Sequence, residues 1–242
     1  FADTFNDMAA RLNAVEATRR RLLSDLAHEI RTPIATLDGY LEAFEDGIAR
    51  PDPATLAMLR QQTRRMSRLV ADISSISRVE EHQVALERQP MTVTELVHSC
   101  GAAARGRYDA KGVTLTLDVA AGIPLVGVDR ERMEQVVGNL LDNALRHTPS
   151  GGSVALSAST RSDGWAVISV ADTGEGIPPE HLPRVFERFY RVDEDRGRSG
   201  GGGSGIGLSI VRALVAEHGG TVTASSTSAG ATFVVSLPPA EV

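Results

Sequence analysis

Cysteine is nearly missing from this chain: Cys100 is the single one among 242 residues. A lone thiol forms no internal disulfide, and such scarcity fits a reducing compartment. No run of about 18 apolar residues occurs, so no segment reads as a membrane-spanning helix. The sequence opens Phe1-Ala2-Asp3 without a methionine. It therefore reads as a fragment whose parent could carry a membrane segment upstream. A basic excess is lacking too. The net charge of −6 argues against nucleic acid as a partner. What remains is 42% hydrophobic and 23% charged, the composition of a globular protein long enough for one large or two small domains.

The first 80 or so residues also lack strand signals. Phe5, Met8, Leu12, Val15, Leu22 and Leu26 follow three–four spacing with Arg19 filling one seam position, and Ile30, Pro33, Leu37, Tyr40 and Phe44 resume it. Two four-residue steps, Leu22 to Leu26 to Ile30, form a stutter that locally unwinds a coiled coil. A turn is expected at "DGIARPDP". A second helix is expected from Pro53, with Leu56, Leu59, Thr63, Met66, Val70 and Ile73 on one stripe. Neither helix can bury its stripe alone. A helical hairpin that dimerises into a four-helix bundle solves this, and the long regular seam favours it over packing against the rest of the chain.

Beyond residue 89 the period changes. "VTLTLDVA", "SVALSAST", "WAVISVAD", "TVTASST" and "ATFVVSLP" alternate or are β-branched, and predict strands. A helix is predicted after Asp129 as N-cap, with Met133, Val136, Val137, Leu140, Leu141 and Leu145 inward. Strands and helices in this order imply an α+β sandwich with helices on one sheet face. "SRVEEHQVALERQP" reads as the connection between the halves.

Two features suggest chemistry. With Leu26 at heptad position d and Ile30 at a, His28 occupies f, the most exposed place on the helix. Pro33 inside the same helical pattern costs roughly 3 kcal/mol and deprives the Glu29 carbonyl of its donor. On these features alone a surface histidine beside a kink is the preferred reading. The string "HEIRT" is not a zinc-protease motif, because Thr32 stands where the second histidine is required. The other feature is "RGRSGGGGSGIGLSI", residues 196–210. Composition alone leaves it either a flexible linker or a phosphate cradle. The apolar periodicity at Ile206, Ile210, Leu214 and Val215 places glycines at a helix start, where free N–H groups suit a phosphate.

Taken together, five segments resemble the sequence boxes of sensor histidine kinases. "SDLAHEIRTPIATLDGYLE" is similar to their H-box, "NLLDNALRHT" to the N-box and "DTGEGIP" to the G1 box. "FERFYR" is similar to the F-box and "GSGIGLSI" to the G2 box. They occur in the family's order and span nearly the whole chain. "FADTFNDMAARL" resembles the end of a HAMP signalling helix. The resemblance implies four parts: the end of a HAMP-like helix at 1–18, a dimerisation and phosphotransfer domain at 19–82, a linker at 83–91, and a catalytic ATP-binding domain of the gyrase-type (Bergerat) fold at 92–242.

It also implies roles. His28 would attack the γ-phosphate of ATP, Glu29 would orient its ring and take the proton, and Thr32 would position water for dephosphorylation of a regulator. Asn139 and Asn143, four apart and therefore on one helix face, would hold Mg²⁺ and phosphates, Asn143 as the direct metal ligand. Amide oxygens are hard donors suited to that ion. Arg146 would supply a cation for phosphate, with His147 near the nucleotide. Asp172 would accept the exocyclic amine of adenine, while Gly174 and Gly176 let the backbone approach the base. The segment from Glu175 to Gly203 would form a lid anchored by Phe186 and Phe189, with Arg191 reaching the γ-phosphate. Gly203, Gly205, Gly207 and Leu208 would close the phosphate end. Gly200, Gly201 and Gly202 would be extra flexible lid, and the sequence does not decide whether that run is wholly native. The implied cofactors are ATP and Mg²⁺. The implied partners are a second copy of the chain and a response-regulator receiver domain, on the cytoplasmic side of a membrane-anchored parent. Two rival readings are a gyrase-type ATPase clamp and a non-catalytic signalling scaffold. The H-box and the intact set of boxes speak against each in turn.

Overall fold

A computed structural model describes residues 27, 30–80, 86–188, 190, 192 and 205–240; for 65, 68, 69 and 71–80 it describes the backbone alone. The chain divides into two compact units, 1–74 and 75–242. The expected sites His28, Glu29, Arg191 and Gly203, and the expected anchor Phe189, lie outside the described residues, as does lid segment 193–204. So does the HAMP-like segment.

In the first unit, helix α1 spans 30–45 and passes through Pro33 without a break. The "DGIARPDP" turn follows, with Gly47 at φ 69°. Helix α2, Pro53–Glu80, begins at the proline as expected. Its first turn is capped by Asp52, whose Oδ1 accepts from Thr55 N at 2.7 Å. That bond and the neighbouring backbone hold the Asp52 carboxyl below its ordinary pKa. Tyr40 and Phe44 meet one turn apart on α1, ring centroids 6.3 Å from each other. Leu56 and Val70, two members of the expected α2 stripe, remain 42% and 56% exposed. One chain therefore leaves that stripe partly uncovered.

The division falls within α2, so the expected linker 83–91 belongs to the second unit, and its last residues form strand β1, Gln89–Met91. β1 pairs antiparallel with β3, Val126–Val128. The main sheet has the order β2-β4-β5-β7-β6, formed by Thr114–Val119, Ser153–Thr160, Ala166–Asp172, Gly230–Leu237 and Thr221–Thr227 respectively. β2 and β4 are parallel and the other pairs antiparallel. All five expected strands are present to within a residue or two of the sequence pattern.

Three helices, α3 (Val93–Lys111), α4 (Arg130–His147) and α5 (Gly207–Glu217), cover one sheet face, with α4 packed between the other two. Leu156, Ile168, Val170, Phe233 and Val235 point into this layer and are buried. The opposite face carries small and polar residues such as Thr116, Ser157, Ser169 and Thr223, with Ser157 directly opposite Ser169. An antiparallel sheet can leave such a face to water. The expected α4 core holds with one correction: Ala144 is fully buried, whereas Leu145 is only half-buried at the edge of the stripe.

Helix α3 is an element the sequence reading did not identify. Thr92 Oγ1 caps it by accepting from Glu95 N, and Gly112 ends it in the left-handed region at φ 70°. Leu96, Val97, Cys100, Ala104 and Tyr108 form its buried stripe. Burial drives the Cys100 thiol up to about 11. Such a thiol stays protonated and inert at neutral pH.

Candidate functional site

Helix α4 organises the site. Asp129 caps it, accepting Arg132 N at 3.2 Å as expected, and Glu87 N reaches the other carboxylate oxygen. Its buried face (Met133, Val136, Val137, Leu140, Leu141, Ala144) meets the sheet and its neighbouring helices, leaving Asn139 and Asn143 on a half-buried flank. Asn139 Nδ2 donates to Gly207 O at 3.4 Å, which joins the middle of α4 to the glycine-rich start of α5. No described residue hydrogen-bonds the Asn143 amide. Arg146 and His147 follow in the exposed last turn.

Asp172 terminates β5 and is 8% exposed. Its Oδ1 accepts from Gly174 N at 2.9 Å and from Ala231 N at 3.2 Å. Its Oδ2 takes no hydrogen bond from any described residue. A buried acceptor without a donor is costly unless something else supplies one. An N–H donor on a bound group would complete this oxygen; the sequence reading expects the exocyclic amine of adenine in that role.

The loop after Asp172 is pressed against α4. A Cβ on Gly174 would come within 2.5 Å of His147 O. Gly176 has φ +72°, and a Cβ there would stand 2.2 Å from Thr227 O. Ser226 fastens this loop to the β6–β7 turn: its hydroxyl accepts from Ile177 N at 2.7 Å and donates to Gly230 O at 3.0 Å. Across the mouth, His147 Nδ1 lies 3.2 Å from Glu175 Oε1.

On the other side of α4, Gly205 adopts φ 70° and Gly207 opens α5. The N-cap position is Ile206, whose side chain has no oxygen with which to cap that first turn. Helix N-termini of this kind suit phosphate oxygens. Leu208 is half-buried behind them. The start of the lid is anchored as expected at Phe186, whose ring packs edge-on against Phe233 at 6.2 Å, and Val185 is buried beside it. Farther along, Arg184 lies over the Tyr190 ring, 4.2 Å from its centroid, and Tyr190 hydroxyl meets His181 Nδ1.

The structure thus gathers Asn139, Asn143, Arg146, His147, Asp172, Gly174, Gly176, Gly205, Gly207 and Leu208 around one helix. Thr32 is an exposed residue of α1 in the other unit. Among the described residues no cluster of three or more His, Cys, Asp or Glu side chains could hold a metal. Mg²⁺ suits such a site because it takes much of its shell from phosphate and water, with an unengaged amide such as Asn143 as the protein's donor.

Sequence reading missed Thr148, Thr173, Ser226 and Ala231, which shape the two loops. Thr148 Oγ1 donates to Ala144 O at 2.7 Å, and Thr173 Oγ1 accepts from Ser153 N at 2.9 Å. The Thr148 bond stays within one helical turn, whereas Thr173, Ser226 and Ala231 join segments far apart in sequence, so no local pattern signals them.

Known proteins agree with this geometry. The family model for the histidine kinase-, DNA gyrase B- and HSP90-like ATPases matches residues 128–241, and that for the His kinase A phospho-acceptor domain matches 18–82. The signal transduction histidine-protein kinase BaeS of Escherichia coli is 37% identical over 238 residues, 98% of this chain and 50% of BaeS. The solved histidine kinase AdeS of Acinetobacter baumannii superposes with a TM-score of 0.72 at 29% identity, covering 88% of this chain and 98% of that one. Histidine kinase ThkA, solved in complex with response regulator protein TrrA, shares the fold at a TM-score of 0.74 and 24% identity, over 95% of this chain and 66% of that one. The chain spans half or less of the length of the curated relatives it matches. With a phospho-acceptor domain followed by this ATPase domain, the chain belongs to the sensor histidine kinases, of which it represents the catalytic core.

Proposed function

We propose that this chain transfers the γ-phosphate of ATP to His28 and from there to an aspartate of a response regulator. The observation that carries the nucleotide half is Asp172: a buried carboxylate with one oxygen doubly engaged and the other without a donor among the described residues, at the start of a loop that Gly174 and Gly176 allow to pack against α4 and the β6–β7 turn. An amine donor completes that oxygen, and guanine presents none at the same point. Asn143 and Asn139 would hold the metal and phosphates, Arg146 would add positive charge, and the N–H groups at Gly205, Gly207 and Leu208 would take phosphate oxygens. Mg²⁺, when bound, neutralises charge on the transferring group. Arg191 and Gly203 complete the lid side of this reading.

His28 attacks through a neutral ring nitrogen. An N–P bond forms as the bond to the ADP oxygen breaks, and the proton on the other ring nitrogen passes to Glu29. Thr32 then serves the reverse task, positioning water against the regulator's aspartyl phosphate. A second copy of the chain would cover the exposed stripe of Leu56 and Val70 and complete a four-helix bundle. The likeness of fold to ThkA in its complex with TrrA supports a receiver domain as partner. The parent would be membrane-anchored, with this core on the cytoplasmic side. Domain limits of 19–82 and 92–242 fit this reading, with β1 of the linker region built into the second domain.

The test is incubation with labelled ATP and Mg²⁺. An acid-labile, base-stable phosphoprotein that disappears in His28→Ala, while ATP still binds, is expected. Acid-stable label, or label persisting in His28→Ala, would overturn the assignment.

A further inference from the structure

The end of α4 carries carbonyls that the helix itself cannot fully serve. Thr148 serves Ala144 O with both its N–H, at 3.0 Å, and its hydroxyl. His147 O abuts Gly174. The two carbonyls between them, of Leu145 and Arg146, both accept from Lys111 Nζ, the second at 3.0 Å.

Lys111 is the last residue of α3 and is held in place from behind. Gly112 O accepts from Gly151 N at 2.7 Å, and Thr114 N donates to Gly152 O at 2.9 Å. The end of α3 and the turn after α4 are therefore interlocked. That turn continues to the base-facing loop, because a Cβ on Gly152 would lie 3.0 Å from Thr173 Oγ1, one residue beyond Asp172. Nearby, Tyr108 hydroxyl donates to Leu141 O at 2.8 Å and Arg107 pairs with Asp142. The last turn of α3 thus grips α4 on both sides of Asn143.

We infer that Lys111 is a positioning residue for nucleotide binding: its two bonds fix the last turn of α4, and with it Arg146 and His147, against the loop that begins at Asp172. The inference rests on reading α4 and that loop as the ATP site. Lys111 is exposed, so its bonds add little to folding stability. Their effect falls on geometry, and so on affinity.

The experiment compares Lys111→Met, Lys111→Arg and Arg105→Met in the full chain, measuring the KM for ATP and kcat of autophosphorylation with Mg²⁺, and the melting temperature without nucleotide. Arg105 is an exposed cation on the same helix, so its removal controls for net charge. Lys111→Met is expected to raise KM about 10-fold, the lower range for losing a group that orients ligands, while kcat and melting temperature stay near wild type. Lys111→Arg, whose guanidinium can donate to two carbonyls at once, restores KM, and Arg105→Met leaves it unchanged. An unchanged KM in Lys111→Met overturns the inference. So does an equal rise in Arg105→Met, or a fall in melting temperature and kcat at constant KM, which is the mark of a merely structural residue. A wild-type chain that binds no ATP would instead overturn the reading of the site, and this inference with it.

Discussion

The backbone N–H of Asp129 donates to Nε2 of His218 at 3.1 Å, while Nδ1 of the same ring lies 2.7 Å from Leu214 O. The ring is therefore neutral with its proton on Nδ1, and both nitrogens are used. It joins the start of α4 to the end of α5 in the interior, at 2% exposure. Burial lowers the His218 pKa from its ordinary 6.5, against the Leu214 carbonyl, which favours the charged form; Arg88 adds to the lowering, and Asp129 and Glu217 oppose it.

A stability profile follows from that direction. Between the depressed folded value and about 6.5, the unfolded chain binds a proton that the folded chain refuses. The contribution of His218 is complete above about pH 6.5 and is lost as pH falls through the folded value. Thermal melts of wild type and His218→Gln from pH 8 downward check this. The variant is expected to be less stable by about 1–2 kcal/mol near neutrality, because a buried donor loses its acceptor. It should also lose part of the acid-side slope. Parallel pH profiles for the two proteins would contradict the assignment.

Asp172→Asn retains the shape of the side chain but puts an amide among three groups that need acceptors. ATP affinity is expected to fall by about 10²-fold or more, since a site built for one hydrogen-bond pattern rejects its inverse strongly. Asn143→Ala should remove the Mg²⁺-dependent part of binding and spare the rest. Titration with ATP, with and without Mg²⁺, separates the two losses. Wild-type binding in Asp172→Asn, or undiminished Mg²⁺ dependence in Asn143→Ala, would remove that residue from the site.

Gly230 has φ +136°, and a Cβ there would stand 1.8 Å from Asp172 O. Gly230→Ala must part β7 from the end of β5, at about 2–4 kcal/mol by the combined cost of backbone strain and a core clash. Denaturant unfolding measures it. A loss below about 0.5 kcal/mol, the size of an ordinary surface change, would mean that the turn re-forms around the side chain.

Thr32→Ala distinguishes a water-positioning hydroxyl from support for the helix at Pro33. The expected outcome is normal autophosphorylation and transfer with regulator dephosphorylation slowed about 10²-fold, the size typical of losing a positioned polar group. Equal losses in both activities would point to the helix instead.

Much of this was legible in the sequence because it is local. The alternation in "SVALSAST" and "TVTASST" marks β4 and β6 to the residue, and Asp129 announces the start of α4. Helix α3 was legible in principle: Thr92, Glu95 and Gly112 are its capping residues, but its stripe is diluted by Ala and Gly and is quieter than the strands around it. Leu145 was misplaced because the inward face turns slightly, giving the buried position to the smaller Ala144. The Oδ2 of Asp172, the grip of Lys111 and the ring of His218 could not be seen. Each depends on partners distant in sequence, brought together by strand order and helix packing.

The pair Asp129–His218 also fixes how α4 and α5 lie against each other. The two helices run antiparallel: joined here at one end, they meet again at Asn139 and Gly207. Ten residues of α4 separate the joints, about 15 Å at 1.5 Å per residue. Residues 87 and 88 enter at the joined end, where Glu87 N reaches Asp129 and Arg88 reaches Glu217 O. The two helices are therefore tied at two points, once where residues 87 and 88 arrive and once beside the glycines that would take phosphate. A tilt of about 4° at the first joint would displace the second by about 1 Å over that length, so whatever shifts residues 87 and 88 would be felt at the Asn139–Gly207 contact.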